Sequence, residues 1–167
     1  MTKCTYPQFA IPGSDEELTR ICKEKLQALY GTNPPVSIVQ RLNDELSQMT
    51  GTNYSSVYML LHHLAAHLSN AGGRIGIRGT LSSTLTSFLL GISDINPLPA
   101  HYRCPCCSYL EFVSADSGYD LPATVCPYCG SALCGDGHNI PYETCLGIDP
   151  VEQIETVGSN VTASAWE

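Results

Sequence analysis

The chain has 167 residues, which is enough for one ordinary domain with a small appendage. Its net charge is −8 and its eight Lys and Arg residues are scattered. Tight, independent DNA binding is therefore not expected, because neutralisation of phosphates supplies most of that affinity. No apolar run reaches the roughly 20 residues that span a bilayer, and the first residues do not resemble a secretory signal. A cytoplasmic protein is expected, and in that reducing compartment the nine cysteines indicate metal binding more than disulfides.

The first fifty residues predict two helices. Ser14 and Glu17 match a capping box before apolar residues at helical spacing, and Gly31 is a typical helix end. A second helix is predicted to begin near Pro35 and to end before Gly51. The apolar stripes of both helices indicate a buried core.

A third helix, a strand and a fourth helix are predicted next. The third helix ends at Gly72-Gly73, and residues 74–79 suit a strand followed by a tight turn. Thr80 is then predicted to cap a fourth helix that runs through Leu90. From Pro97 onwards Pro, Cys, Gly and Tyr are dense and helical periodicity disappears, which indicates a part organised by metal.

Two cysteine pairs carry the strongest chemical signal. They are Cys104 with Cys107 and, after 18 intervening residues, Cys126 with Cys129. Two residues between cysteines let both thiolates of a tight turn face one ion, and two such turns complete a tetrahedral four-sulfur shell. The pattern predicts one structural zinc ion per chain and a ribbon strand within residues 109–113. Unrelated or disulfide-linked thiols are the alternative.

Other Cys and His residues offer alternative ligands. Cys106 lies too close to Cys104 to share its turn and is interpreted as a bystander thiol. Cys134 with His138 offers another ligand pair. A surface pair is the favoured interpretation of His63 and His67, because a zinc-protease motif requires a Glu directly after the first His, where this chain has Leu64.

Several longer stretches resemble one known family over roughly residues 6–148. These stretches are Tyr30-Gly31, Arg41-Leu42, Glu45-Leu46, Arg78-Gly-Thr-Leu-Ser-Ser83, Leu90-Gly-Ile-Ser-Asp-Ile-Asn-Pro-Leu-Pro99, His101-Tyr-Arg-Cys104, Gly118-Tyr-Asp-Leu-Pro122, Cys126-Pro-Tyr-Cys-Gly130 and Asp136-Gly-His-Asn-Ile-Pro-Tyr-Glu-Thr144. The sequence is similar to PolC-type bacterial DNA polymerase III at the start of its palm and in its zinc-binding region.

The resemblance implies a phosphate-binding loop. In that family the loop matching residues 76–83 is rich in Gly and Ser and holds the phosphates of the incoming nucleotide. The residues that would keep this role here are Arg78, Gly79, Thr80 and Ser83. Ile77, Thr80 and Ser82 depart from the usual Ser and Gly, so an ordinary strand-to-helix turn is equally supported.

The resemblance also implies that the chain lacks the family's catalytic carboxylates. After the position of Gly147 the polymerase continues into an Asp-x-Asp segment whose acids hold the catalytic metal ions. This chain contains no Asp-x-Asp, and it continues instead as Ile148-Asp-Pro-Val-Glu-Gln-Ile-Glu155. Because two-metal phosphoryl transfer needs clustered carboxylates, no catalytic residues are assigned and the chain alone is not expected to polymerise DNA.

These observations define one set of expectations. The fold class is α+β, with a helical region and partial palm over residues 1–99, a zinc-ribbon-like module over 100–149 and a flexible tail over 150–167. The function expected is that of a stand-alone, non-catalytic zinc-binding relative of the polymerase, linked to DNA replication through protein partners. The alternatives are a component of a split DNA-directed DNA polymerase completed by another polypeptide, or a weak nucleotide-phosphate binder.

Overall fold

A computed structural model describes residues 10–51, 54–73, 75–78, 83–141 and 158–161. Within these residues the fold is α+β, as predicted, with four α-helices and small antiparallel sheets. None of the described helices has the length and the apolar character needed to cross a membrane.

The helices largely follow the predicted order. They are α1 (Ser14–Tyr30), α2 (Val36–Met49), α3 (Tyr54–Asn70) and the short α4 (Leu85–Leu89). The capping box at Ser14 is wrong, because α1 begins after Gly13, in a left-handed conformation, and has no side-chain cap. The Ser14 hydroxyl instead lies 3.1 Å from the buried hydroxyl of Ser56 on α3.

Helix α4 is shorter than predicted. Its N-cap is Thr84 and not Thr80, and the Thr84 hydroxyl accepts a hydrogen bond from the N–H of Ser87 at 3.1 Å. The Glu45 carboxylate binds the N–H groups of Leu85 and Thr86, which fixes the start of the helix. Thr80 itself lies outside the described residues.

The hydrophobic core joins all four helices with the segment that follows α4. Its buried members are Leu18, Cys22, Leu26, Tyr30, Ile38, Leu42, Leu46, Met49, Tyr58, Met59, Leu85, Leu89, Leu90, Ile92 and Leu98. The members in α1 and α2 largely fall on the apolar stripes that the sequence predicts for those two helices. In α3 the buried members are Tyr58 and Met59, whereas Leu60 is 49% exposed.

Two small sheets complete the described fold. β1 (Ile75–Arg78) pairs antiparallel with β5 (Gly158–Val161), which lies in the segment expected to be a tail. β2 (His101–Arg103) lies between β3 (Leu110–Phe112) and β4 (Cys134–Asp136) in a three-stranded antiparallel sheet. The strand predicted within residues 109–113 is therefore confirmed as β3. A 3-10 turn at Gly118–Asp120 packs against β4.

Residues 96–98 join the three-stranded sheet to the helices. Their carbonyl groups accept hydrogen bonds from His138, Asn139 and Ile140, each at 2.9 Å. At the other end of the sheet, the first cysteine turn packs on the end of α1, where a Cβ added to Gly31 would lie 2.8 Å from the Cβ of Ser108. These contacts position the cysteine cluster next to the helical part.

Candidate metal centre

The structure brings the four predicted cysteines into one cluster. Their Sγ atoms all lie within 4.8 Å of one another. The Sγ atoms of Cys104 and Cys129 are 3.4 Å apart, and those of Cys107 and Cys126 are 3.5 Å apart. A tetrahedral ion with metal–sulfur bonds near 2.3 Å requires sulfur–sulfur distances of about 3.8 Å. Four thiolates at this spacing therefore fit one such ion after small adjustments.

Two turns of similar design hold these cysteines. The first cysteine of each turn donates its N–H to a carbonyl five residues later: Cys104 to Tyr109 and Cys126 to Ser131, both at 2.8 Å. In the second turn Gly130 adopts a φ of 71°, in the left-handed region that Gly tolerates best, and its N–H donates to the Cys126 carbonyl at 2.9 Å. The hydrogen bonds within each turn therefore hold its two cysteines on the same side, facing the cluster.

Backbone N–H groups face the sulfurs. The N–H of Cys106 lies 3.4 Å from Cys104 Sγ, and the N–H of Tyr109 hydrogen-bonds the Cys107 thiol. The hydroxyl and the N–H of Ser131 lower the pKa of Cys129 to about 6. Such donors stabilise thiolates, which are the form that binds a metal.

The neighbouring thiols help to lower the pKa of Cys129 but act in the opposite direction on Cys107. The N–H of Tyr109 lowers the pKa of Cys107, but hydrogen bonding with Cys126 and with the other two cysteines outweighs it and raises that pKa to about 12. Four negative charges this close together repel strongly, so the cluster needs a cation to ionise fully. The four cysteines together can therefore hold a metal ion.

The alternative ligands lie outside this cluster. Among the residues that the structure describes, the four cysteines are the one group of three or more potential ligands within reach of a single ion. Cys106 is exposed, and its Sγ lies 3.3 Å from the Ser131 hydroxyl. Cys134 is exposed on β4, and the ring of His138 stacks on Tyr119. His63 and His67 are exposed on α3.

Half of the predicted phosphate loop lies outside the described residues. Gly79 and Thr80 lie outside the described residues, whereas the backbone of Arg78 ends β1 and Ser83 lies just before Thr84. The structure therefore leaves this loop as a prediction.

Glu45 has a structural role at the start of α4 that the sequence interpretation missed. This fully buried carboxylate accepts hydrogen bonds from the N–H of Leu85 at 3.0 Å and from the N–H and hydroxyl of Thr86, both at 2.9 Å. It also accepts a hydrogen bond from Arg41 Nε at 2.7 Å. An internal carboxylate therefore occupies the N–H groups at the start of α4. The signal was present, because Glu45 falls on the apolar stripe of α2 and is four residues after Arg41.

Comparisons with known proteins identify the family. The sequence model described as the bacterial DNA polymerase III alpha NTPase domain matches residues 16–152. The chain is 38% identical over 150 residues to DNA polymerase III PolC-type of Bacillus subtilis, covering 87% of this chain and 10% of that protein. It is 40% identical over 150 residues to the PolC-type polymerase of Lacticaseibacillus paracasei, with the same coverage. For the PolC-type polymerase of Thermotoga maritima the identity is 38% over 142 residues, covering 83% of this chain and 10% of the relative.

The chain spans about a tenth of the length of the curated relatives that it matches. The matched region includes α1 to α4, the polar contacts of residues 96–98 and the whole cysteine cluster. On these matches, the chain belongs to the bacterial DNA polymerase III alpha family and corresponds to a segment of its PolC-type members.

Proposed function

We propose that this chain is a zinc-binding, non-catalytic module of the PolC type that acts through protein contacts in DNA replication. The observation that carries the proposal is the cluster of four cysteine sulfurs within 4.8 Å of one another. A tetrahedral set of four thiolates suits zinc or iron, and a closed shell without a water position is typical of structural zinc. Zinc would then hold β2, β3 and β4 as a ribbon between its two cysteine turns.

The non-catalytic part of the proposal rests on missing carboxylates. The sequence contains no Asp-x-Asp, and the described residues contain no second group of three acidic or other ligating side chains near one another. Two-metal phosphoryl transfer requires such a group to clamp the attacking and leaving oxygens. Asp149 and Glu152, the acids nearest to the position of the family's segment, lie outside the described residues.

Metal analysis tests the first part. Protein purified without chelator should carry about one zinc per chain, and Cys126→Ser should lose it. Cys106→Ser is the matched control, because Cys106 lies in the first cysteine turn but is not one of the four clustered cysteines. Absence of metal in the wild-type protein would contradict the proposal, and bound iron would contradict its choice of zinc.

Primer extension tests the second part. The purified chain should extend no primer and hydrolyse no nucleotide with either Mg²⁺ or Mn²⁺. Extension that persists through purification and disappears in Asp149→Ala would show that the chain carries its own catalytic acids.

A second candidate is a component of a polymerase that another polypeptide completes. Membership of the family favours it, because the relatives that the chain matches are PolC-type DNA polymerases. Mixing the chain with a polypeptide that carries the remaining palm and fingers should then restore primer extension. Residual phosphate binding by Arg78, Gly79, Thr80 and Ser83 is less well supported, because Glu45 already binds the start of α4.

A further inference from the structure

Two tyrosines, the half-buried Tyr109 and the exposed Tyr128, form an aromatic surface beside the cysteine cluster. The ring centroids of Tyr109 and Tyr128 lie 5.3 Å apart, with an angle of 55° between the ring planes. Tyr128 is 79% exposed, and the nearby Val125 is 62% exposed. Large apolar side chains are usually covered in a folded protein, so the exposure of Tyr128 and Val125 on a small module indicates a surface for a partner. We call Tyr109 and Tyr128 the tyrosine pair.

The cysteine turns hold both members of the pair. Tyr128 lies within the second turn, directly before Cys129. The carbonyl of Tyr109 accepts the N–H of Cys104 at 2.8 Å, and its own N–H bonds the Cys107 thiol. A metal ion that ties the two turns together therefore also fixes the two rings relative to each other.

The charges around the pair suit a cation. The Tyr109 hydroxyl donates to Glu111 Oε2 at 2.8 Å, so a carboxylate lies at the edge of the aromatic surface. Residues 100–141 contain four acidic residues and a single Arg, with no Lys. Nucleic acid is a poor match for this surface, because stacked bases bring phosphates that need basic neighbours.

We propose that the tyrosine pair and Glu111 bind a Lys or Arg side chain from a positively charged protein segment. The faces of tyrosine rings attract cations within about 6 Å, and the carboxylate of Glu111 can accept a hydrogen bond from the same group. The inference rests on the proposed metal-bound state, because the metal holds the turns that carry the rings.

A peptide titration tests this surface. The probe is a short peptide of alternating Gly and Arg, titrated into zinc-loaded full chain and followed by NMR shifts of residues 104–131. Binding should be weak and should decrease about two- to fivefold in Tyr128→Ala, the loss expected for an exposed cation–π contact. Glu111→Gln should weaken it as well, and Tyr128→Phe should keep most of it. Tyr119→Ala is the matched control, because Tyr119 is 68% exposed on the same module but stacks on His138.

Specific outcomes would overturn the proposal. The proposal is wrong if Tyr128→Ala binds the peptide as tightly as the wild type does. It is also wrong if Tyr119→Ala loses as much affinity as Tyr128→Ala, because the peptide would then be held by general charge attraction. Tighter binding of a single-stranded oligonucleotide than of the peptide would assign the surface to nucleic acid instead. Zinc content is measured on every sample. If zinc-loaded protein does not bind the peptide, this inference alone is refuted. If the wild-type protein contains no metal, the proposed zinc site is refuted.

Discussion

The helical part and the metal module of this chain are stabilised in different ways. All fifteen residues of the hydrophobic core lie between Leu18 and Leu98. In residues 100–141 the buried hydrophobic side chains are Ala100, Cys104 and Cys126, and two of these three belong to the cysteine cluster. The first region therefore gains its stability from apolar burial, whereas the second lacks such a core. The proposed metal–sulfur bonds would supply the stability that the second region lacks.

The two regions meet through buried polar groups. Asn96 Nδ2 donates to the Tyr30 hydroxyl at 2.8 Å and to Asp136 Oδ2 at 2.9 Å. His101, which is fully buried, lies 3.5 Å from the same hydroxyl through Nε2, and its Nδ1 bonds the Pro99 carbonyl at 2.7 Å. Burial raises the pKa of Tyr30 to about 12, so its hydroxyl stays protonated and can donate to His101. This network fixes the orientation of the module against the helices.

The largest expected effect comes from loss of the metal. Cys126→Ser removes a buried ligand, and structural zinc in small modules contributes on the order of 10 kcal/mol to folding. We expect residues 100–141 to lose their dispersed NMR signals while α1, α2 and α3 keep theirs. Backbone NMR spectra of the wild-type protein, recorded before and after addition of a chelator, compare the same two regions. Collapse of the helical signals at the same chelator concentration would show that the two regions fold as one unit.

The second effect concerns the helical part. Glu45→Ala leaves Arg41, whose side chain is only 16% exposed, without this carboxylate and leaves two buried N–H groups at the start of α4 unsatisfied. Breaking a buried pair in this way costs about 3–5 kcal/mol. Chemical denaturation measures the change, and Glu24→Ala, which removes an exposed pair with Arg20, should cost less than about 1 kcal/mol. Equal losses in both variants would contradict this role for Glu45.

A smaller effect is expected where the two regions touch at Gly31. This residue has φ of 83° and ψ of −178°, a conformation that only Gly adopts readily. An added Cβ would also lie 2.8 Å from Ser108 Cβ. Gly31→Ala should destabilise the chain by about 1–3 kcal/mol. Gly72→Ala is the matched control for backbone strain, because its φ is also positive but nothing lies within 4 Å of its added Cβ. The second substitution Ser108→Gly should recover the steric part of the Gly31→Ala loss.

Sequence patterns correctly predict the helices α1 to α3 and the cysteine cluster, because short-range interactions determine both. Apolar spacing located α1, α2 and α3, because each buries a stripe that recurs with the helical period. The Cys-x-x-Cys spacing located the cluster, because two intervening residues constrain a turn whatever the rest of the fold does. The family resemblance was also read correctly from the longer stretches of residues 78–144, as the matching relatives show.

Contacts between distant residues were the part that the sequence did not reveal. Ser14 matches a capping box, yet its hydroxyl contacts Ser56, which lies 42 positions away. Thr80 was a reasonable cap, but the start of α4 depends on Glu45, which lies 40 positions before Leu85. The network of Tyr30, Asn96 and Asp136 likewise requires three separate segments to meet. Helix propensity and the spacing of apolar residues carry no information about contacts between residues that are far apart in the sequence.

The smallest expected effect is a pH dependence at the polar network. Burial lowers the pKa of His101 below its ordinary value, and Arg103 acts in the same direction, although the Pro99 carbonyl and Asp136 act in the opposite one. The unfolded chain therefore binds a proton at this site more readily than the folded chain. Stability should be complete above about pH 6.5 and should fall as the pH drops below it, because protonation of His101 then favours unfolding. An NMR titration of the His101 ring, with metal content checked at each pH, measures the shift directly. In His101→Asn this part of the pH dependence should disappear, and a His101 ring that titrates above its ordinary pKa would show that the contact with Asp136 outweighs burial.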